Sequence, residues 1–91
     1  MTFSDNIIDI IMTEIDNAKY IETIRYLEIA FRDSRRVYIT RADLEQGTIE
    51  ISASKNDTLI KIVDKAYEKT ERIFFARVKD IKYFTIVEDK K

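Results

Sequence analysis

Apolar positions follow two different periods along this chain, and the change of period divides it. In the first third, Ile7, Ile8, Ile11, Ile15 and Ala18 recur at helical spacing, with Thr2 or Ser4 placed as a cap and Asp5 favourable in the first turn. A second stripe, Tyr20, Ile24, Leu27 and Phe31, is also spaced helically but projects to roughly the opposite side. The pattern predicts two helices, or one bent helix, meeting around Asp16 to Lys19. From Arg36 the period shortens to two: Val37, Ile39 and Arg41 alternate with Tyr38, Thr40 and Ala42, and Ile49, Ile51 and Ala53 alternate with Glu50 and Ser52. Between these runs lies Asp43-Leu44-Glu45-Gln46-Gly47, with glycine where a left-handed residue is needed, so a β-hairpin is predicted.

Helical spacing returns after Ser54. Ser54 with Asp57 resembles a capping box, and Leu59, Val63, Ala66, Tyr67 and Thr70 would form one face, with Lys61, Asp64, Lys65, Glu68 and Lys69 largely away from it. Asp57/Lys61 and Glu68/Arg72 would be favourable pairs one turn apart. Residues 72–88 are rich in β-branched and aromatic side chains, which predicts a C-terminal β-hairpin of two strands joined near Lys79-Asp80; one long strand, or a helix running past Arg72, stays open. The resulting order, α-α-β-β-α-β-β, gives a two-layer α+β fold in a single domain over residues 1–91. The alternative is a winged helix, with a short helix over residues 40–46, a recognition helix over 54–69 and a wing over 72–87.

Composition narrows the chemistry. The chain has no His, Cys, Trp or Pro and one glycine, Gly47. Zinc, haem, copper and iron–sulfur sites normally use His or Cys, and phosphate-cradling loops need several glycines, so none of these is expected. Sixteen basic residues balance seventeen acidic ones, a poor match to a protein coated in nucleic acid. Sixteen isoleucines against three leucines suggest AT-rich coding. The longest apolar run is too short for a membrane span and the start lacks a signal-peptide pattern, so no membrane contact and a cytoplasmic, intracellular setting are expected. An all-oxygen metal site would have to use Asp43, Glu45 and Glu50, whose spacing fits no calcium loop; the simpler reading is a solvated acidic turn. Ser52, Ser54 and Lys55 are adjacent, but Ser54 is better read as a cap than as a nucleophile. No catalytic residue, metal or cofactor is therefore expected.

Two constellations remain. Arg32, Arg35, Arg36 and Arg41, with Tyr38 interleaved, concentrate four of seven arginines within ten residues. Arginine suits bidentate contact with phosphate or carboxylate, so the cluster is a candidate nucleic-acid or partner contact. Its simpler reading is a set of cations closing a helix C-terminus. The second constellation is Ile7, Ile8, Ile10, Ile11, Met12 and Ile15, an apolar face wider than one helix stripe. Either that helix is buried on two sides, or it packs on a second copy, which makes these residues the candidate oligomer interface.

The segment Leu27-Glu28-Ile29-Ala30-Phe31-Arg32-Asp33 faintly resembles the helix of LAGLIDADG homing endonucleases. It lacks the small residues and flanking glycines that motif requires, and the resemblance is rejected. The reading that follows is a small non-enzymatic protein-binding module, homodimeric, with an unidentified protein partner. Compact domains with this coding bias suggest a phage, archaeal virus or plasmid source, with an inhibitor or adaptor role on a host protein. The alternative is a nucleic-acid-binding transcriptional regulator using residues 32–41.

Overall fold

A computed structural model describes residues 4–54, 56, 58–66 and 68–90, with side chains described from residue 7 onward. Thr2, Lys55, Asp57 and Tyr67, and the side chains of Ser4 and Asp5, lie outside the described residues. The elements are helix α1 (Ser4–Ala18), strands β1 (Ile24–Phe31) and β2 (Arg36–Thr40), helix α2 (Arg41–Gln46), strands β3 (Ile49–Ala53), β4 (Leu59–Asp64) and β5 (Arg72–Arg77), a 3₁₀ turn (Val78–Asp80) and strand β6 (Ile81–Glu88). They form two antiparallel three-stranded sheets, ordered β2-β1-β6 and β3-β4-β5. The fold is α+β, beginning with a helix and continuing mainly in strands.

The sheets share one core. Ile24, Leu27, Ile29, Phe31 and Ile39 come from the first sheet, and Ile60, Ile62 and Ala76 from the second. The rings of Phe31 and Phe74 meet across the two sheets with centroids 5.3 Å apart. Helix α1 adds Ile8, Ile11, Ile15 and Ala18, and packs beside β3. Each fully buried Ile, Leu or Phe in this set contributes about 1.5–3 kcal/mol of transfer free energy.

Four expectations need correction. The stripe Tyr20, Ile24, Leu27, Phe31 does not lie on a second helix. The chain leaves α1 at Ala18, turns, and enters β1, while Tyr20 is left exposed. Helical spacing and strand alternation both fit this segment, because Leu27, Ile29 and Phe31 also share one face at period two. Pairing with β2 on one side and β6 on the other satisfies the β1 backbone, which a lone amphipathic stripe could not reveal.

Among the described residues the helix expected over residues 54–70 is not found, nor is the recognition helix of the winged-helix alternative: residues 59–64 form the central strand of the second sheet. Thr58, Ile60, Ile62 and Val63 are β-branched, and Ile60 and Ile62 point inward at period two. Ser54 Oγ does accept backbone N–H bonds, from Thr58 (3.2 Å) and Leu59 (3.1 Å), but they close the β3–β4 turn rather than start a helix. The expected one-turn helical pairing of Glu68 with Arg72 has no helix to support it.

The hairpin over residues 36–53 is not a hairpin. Residues 36–40 and 49–53 are strands, but Arg41 and Ala42, expected in the first strand, begin α2, and β2 and β3 belong to different sheets joined by that helix. Thr40 and Asp43 form a reciprocal capping box at the start of α2, and Gly47 ends it in the left-handed conformation, φ 65°. Finally, residues 72–88 form two strands, but β5 and β6 are not the expected C-terminal hairpin, since they lie in different sheets. The 3₁₀ turn sends β6 back to β1 instead of beside β5.

Candidate functional site

The arginine cluster separates into three places. Arg41 faces inward and acts on the backbone. Its Nη1 donates to the carbonyls of Ile21 (2.8 Å) and Ile24 (3.1 Å), and its Nη2 to those of Ala18 (3.0 Å) and Lys19 (3.4 Å). α1 has no basic residue in its own last turn, so Arg41 supplies the cation that the helix C-terminus favours. That residue is a structural clamp.

Arg36 and Tyr38 lie on the outer face of the β2-β1-β6 sheet. Arg36 and Tyr83 flank Ala30 in register, and Tyr38 meets the Tyr26 ring edge-on at 5.8 Å. Arg36 Nε stands 3.7 Å from Glu28 Oε2. The result is an aromatic surface with one guanidinium on it.

Arg32 and Arg35 occupy the β1–β2 turn, where Ser34 takes a left-handed backbone, φ 74°. Arg35 N–H (3.1 Å) and Nε (2.6 Å) both donate to Asp33, and these bonds hold the Asp33 carboxyl below its usual pKa. The Arg35 guanidinium also lies 4.7 Å from the Phe74 ring centroid and 5.9 Å from that of Phe31. Arg32 N–H donates to Asp80 O (2.8 Å) and its Nε to Lys79 O (3.3 Å), tying the turn to the 3₁₀ segment.

Two adjacent clefts share Arg35 and run beside β5. One, about 560 Å³, is lined by Arg32, Asp33, Arg35, Leu59, Phe75, Ala76, Arg77 and Asp80. The other, about 480 Å³, takes in Arg35 to Tyr38 of β2 and its approach, and Arg72 to Phe74 of β5. Five of the seven arginines thus line the clefts, against three aspartates, Asp33, Asp64 and Asp80, in a chain of net charge −1. Arg77 Nε donates to Asp80 Oδ2 at 2.8 Å.

Beside these clefts the outer face of the β3-β4-β5 sheet carries an apolar set from β4 and β5 among Glu50, Ser52, Lys61 and Arg77, with Lys61 Nζ 5.9 Å from the Phe75 ring centroid. Leu59, Ile73 and Phe75 are 41%, 50% and 58% exposed, and Val63 lies buried among this face's side chains. An antiparallel sheet with one solvated face normally alternates apolar-in with polar-out. Here β5 is apolar on both faces, since Phe74 and Ala76 point to the core. Sequence reasoning missed Arg72, Ile73, Phe75 and Arg77 as surface residues. The signal was available in Arg-Ile-Phe-Phe-Ala-Arg, a strand with no polar alternate between its terminal arginines.

The apolar face of α1 divides between core and surface. Ile8, Ile11 and Ile15 are buried and Ile7 is half-buried against the core, whereas Ile10 and Met12 are exposed at 49% and 39%. The acidic trio does not converge. Asp43 belongs to the capping box, Glu45 Oε1 lies 3.4 Å from Arg41 Nε, and Glu50 pairs with Lys65. Among the described residues no three His, Cys, Asp or Glu are grouped to hold a metal ion, and no helix is long and apolar enough to cross a membrane. No protein-family model, curated protein or solved structure matches the chain.

Proposed function

We propose that this chain is a non-enzymatic protein-binding module, homodimeric and intracellular, that engages a protein partner through the β5 flank. The observation that carries the reading is the exposed apolar set Leu59, Ile73 and Phe75 beside arginine-lined clefts. Protein interfaces combine a desolvated apolar and aromatic centre with arginine and a polar rim, which is this composition. Contiguous apolar surface is uncommon on a protein that works alone. A role as a phage, archaeal-virus or plasmid inhibitor or adaptor of a host protein belongs to the same proposal and rests on coding bias and size.

The test compares proteins captured from source cells by wild type, Phe75→Ser and Ile10→Ser. A specific partner lost with Phe75→Ser and kept with Ile10→Ser supports the β5 flank. Equal retention by all three refutes it.

A second reading, nucleic-acid binding, is favoured by one observation: Arg36 stands among Tyr26, Tyr38 and Tyr83 on an open sheet face, and bases stack on such surfaces. It predicts salt-sensitive binding of duplex or single-stranded probes that is lost in Arg35→Glu/Arg36→Glu. Indifference to both probes at low salt ends that reading.

A further inference from the structure

Hydrogen-bond parity fixes which residues β5 offers at its free edge. Val78 N–H donates to Thr58 O (2.9 Å), one step beyond the Leu59–Arg77 pair. Alternation along the ladder therefore turns the backbone groups of Arg72, Phe74 and Ala76 toward β4 and those of Ile73, Phe75 and Arg77 outward. Among the described residues no strand pairs with that outer side. Natural edge strands are usually blunted by inward charges, proline, a bulge or a covering element. Of the other edge strands, β3 has α1 packed beside it, β2 is only five residues long and begins with Arg36, and the β6 pairing carries register shifts at both ends. β5 has no register shift, and Ile73-Phe74-Phe75-Ala76 is wholly apolar.

We infer that β5 is the homodimer interface, two copies pairing their β5 strands antiparallel about a two-fold axis at Phe74. This rests on the homodimer reading above and names its surface. The register follows from parity and charge. Outward residues must meet outward residues, which allows centres at Ile73, Phe74 or Phe75. A centre at Ile73 sets Arg77 against Lys69, like against like. A centre at Phe75 sets Glu71 against Lys79, inside the 3₁₀ turn where the ladder has ended. The Phe74 centre places Ile73 opposite Phe75 twice and Glu71 opposite Arg77 at both ends. Among the described residues Arg77 bonds Asp80 through Nε, which leaves its terminal nitrogens for Glu71 of the second copy. The product is one six-stranded sheet, β3-β4-β5-β5-β4-β3, on which the exposed Ile73 and Phe75 side chains of the two copies become continuous. The two-fold arrangement is closed and does not propagate into fibres.

Mass by light scattering and sedimentation across a concentration series tests this, with circular dichroism to verify folding of each variant. Wild type is expected at twice the monomer mass. Glu71→Arg and Arg77→Glu should each weaken association roughly tenfold or more, because both ends of the ladder then set like charges opposite each other. The double variant Glu71→Arg/Arg77→Glu should recover it, and Ile10→Asp should leave the mass unchanged. A monomeric wild type overturns both the homodimer and this interface. A dimer indifferent to the β5 variants and broken by Ile10→Asp keeps the homodimer but moves it to α1 and overturns the interface. Single-variant losses without recovery in the double variant overturn the register.

Discussion

Replacing Arg41 with alanine should destabilise the fold without touching a binding surface. One guanidinium holds four carbonyls at the exit of α1 and the entry of β1, and the bonds to Ala18 O and Ile24 O are part-buried. Hydrogen bonds involving a charged group contribute about 1.5–3 kcal/mol each, and the exposed pair is replaced by water at little cost. Counting the two part-buried bonds at the low end gives roughly 3 kcal/mol, a large share of the ~5–15 kcal/mol that a domain has in total. In a chain this size that corresponds to a fall in Tm of about 12–24 °C. Arg41→Met keeps the aliphatic stem and should lose nearly as much. Arg41→Lys keeps the charge but has one nitrogen, so it should recover less than half. Urea and thermal unfolding of the three variants supply the measurement. A loss below about 0.5 kcal/mol for Arg41→Ala would refute the clamp and return Arg41 to the set of free surface cations.

Asp43 gives a pH-dependent prediction. Burial acts to raise its pKa, but hydrogen bonds from Thr40 N–H, Thr48 Oγ1 and Thr40 Oγ1 outweigh burial and lower it. A depressed carboxyl stabilises the fold above its unfolded pKa and loses that contribution as pH falls through the folded value. The stability gap between wild type and Asp43→Asn should therefore be constant above about pH 5 and close in acid, read by urea midpoints across pH. Leu27→Ala should cost about 2–5 kcal/mol, since Leu27 is fully buried in the central strand between β2 and β6; a cost under 1 kcal/mol would contradict that packing. Gly47→Ala should cost about 1 kcal/mol from backbone strain alone, because φ is 65° and no atom lies within 4 Å of an added Cβ. Gly47→Asn should recover part of that loss, and a neutral Gly47→Ala in thermal melts would exclude a strained cap.

Local order was legible where a residue's own chemistry decides its conformation. The Ile stripe of α1, its end between Asp16 and Lys19, the left-handed Gly47, and the strands over residues 36–40, 49–53 and 72–88 all rest on neighbours in sequence. Residues 24–31 and 59–64 were misread for one reason. Over six to eight residues both patterns find apolar side chains: Ile24, Leu27 and Phe31 at helical spacing beside Leu27, Ile29 and Phe31 at strand alternation, and Leu59 and Val63 beside Ile60 and Ile62. Partners remote in sequence resolve the ambiguity by bonding the backbone: β6 for β1, and β5 with β3 for β4.

The candidate surface divides the same way. Sequence proximity grouped Arg41 with Arg35 and Arg36, although its side chain closes α1 across more than twenty positions. It also separated Arg35 from Arg72 and Arg77, which the pairing of β5 with β4 brings beside the same clefts. By itself the sequence determined the lack of His and Cys side chains, the helical start, the turn glycine and an excess of apolar residues. The tertiary structure alone decided which apolar residues are core and which remain outside, because that depends on sheet pairing. Ile8, Ile11 and Ile15 went inward, and Ile73 and Phe75 were left on an exposed face beside an unpaired strand edge.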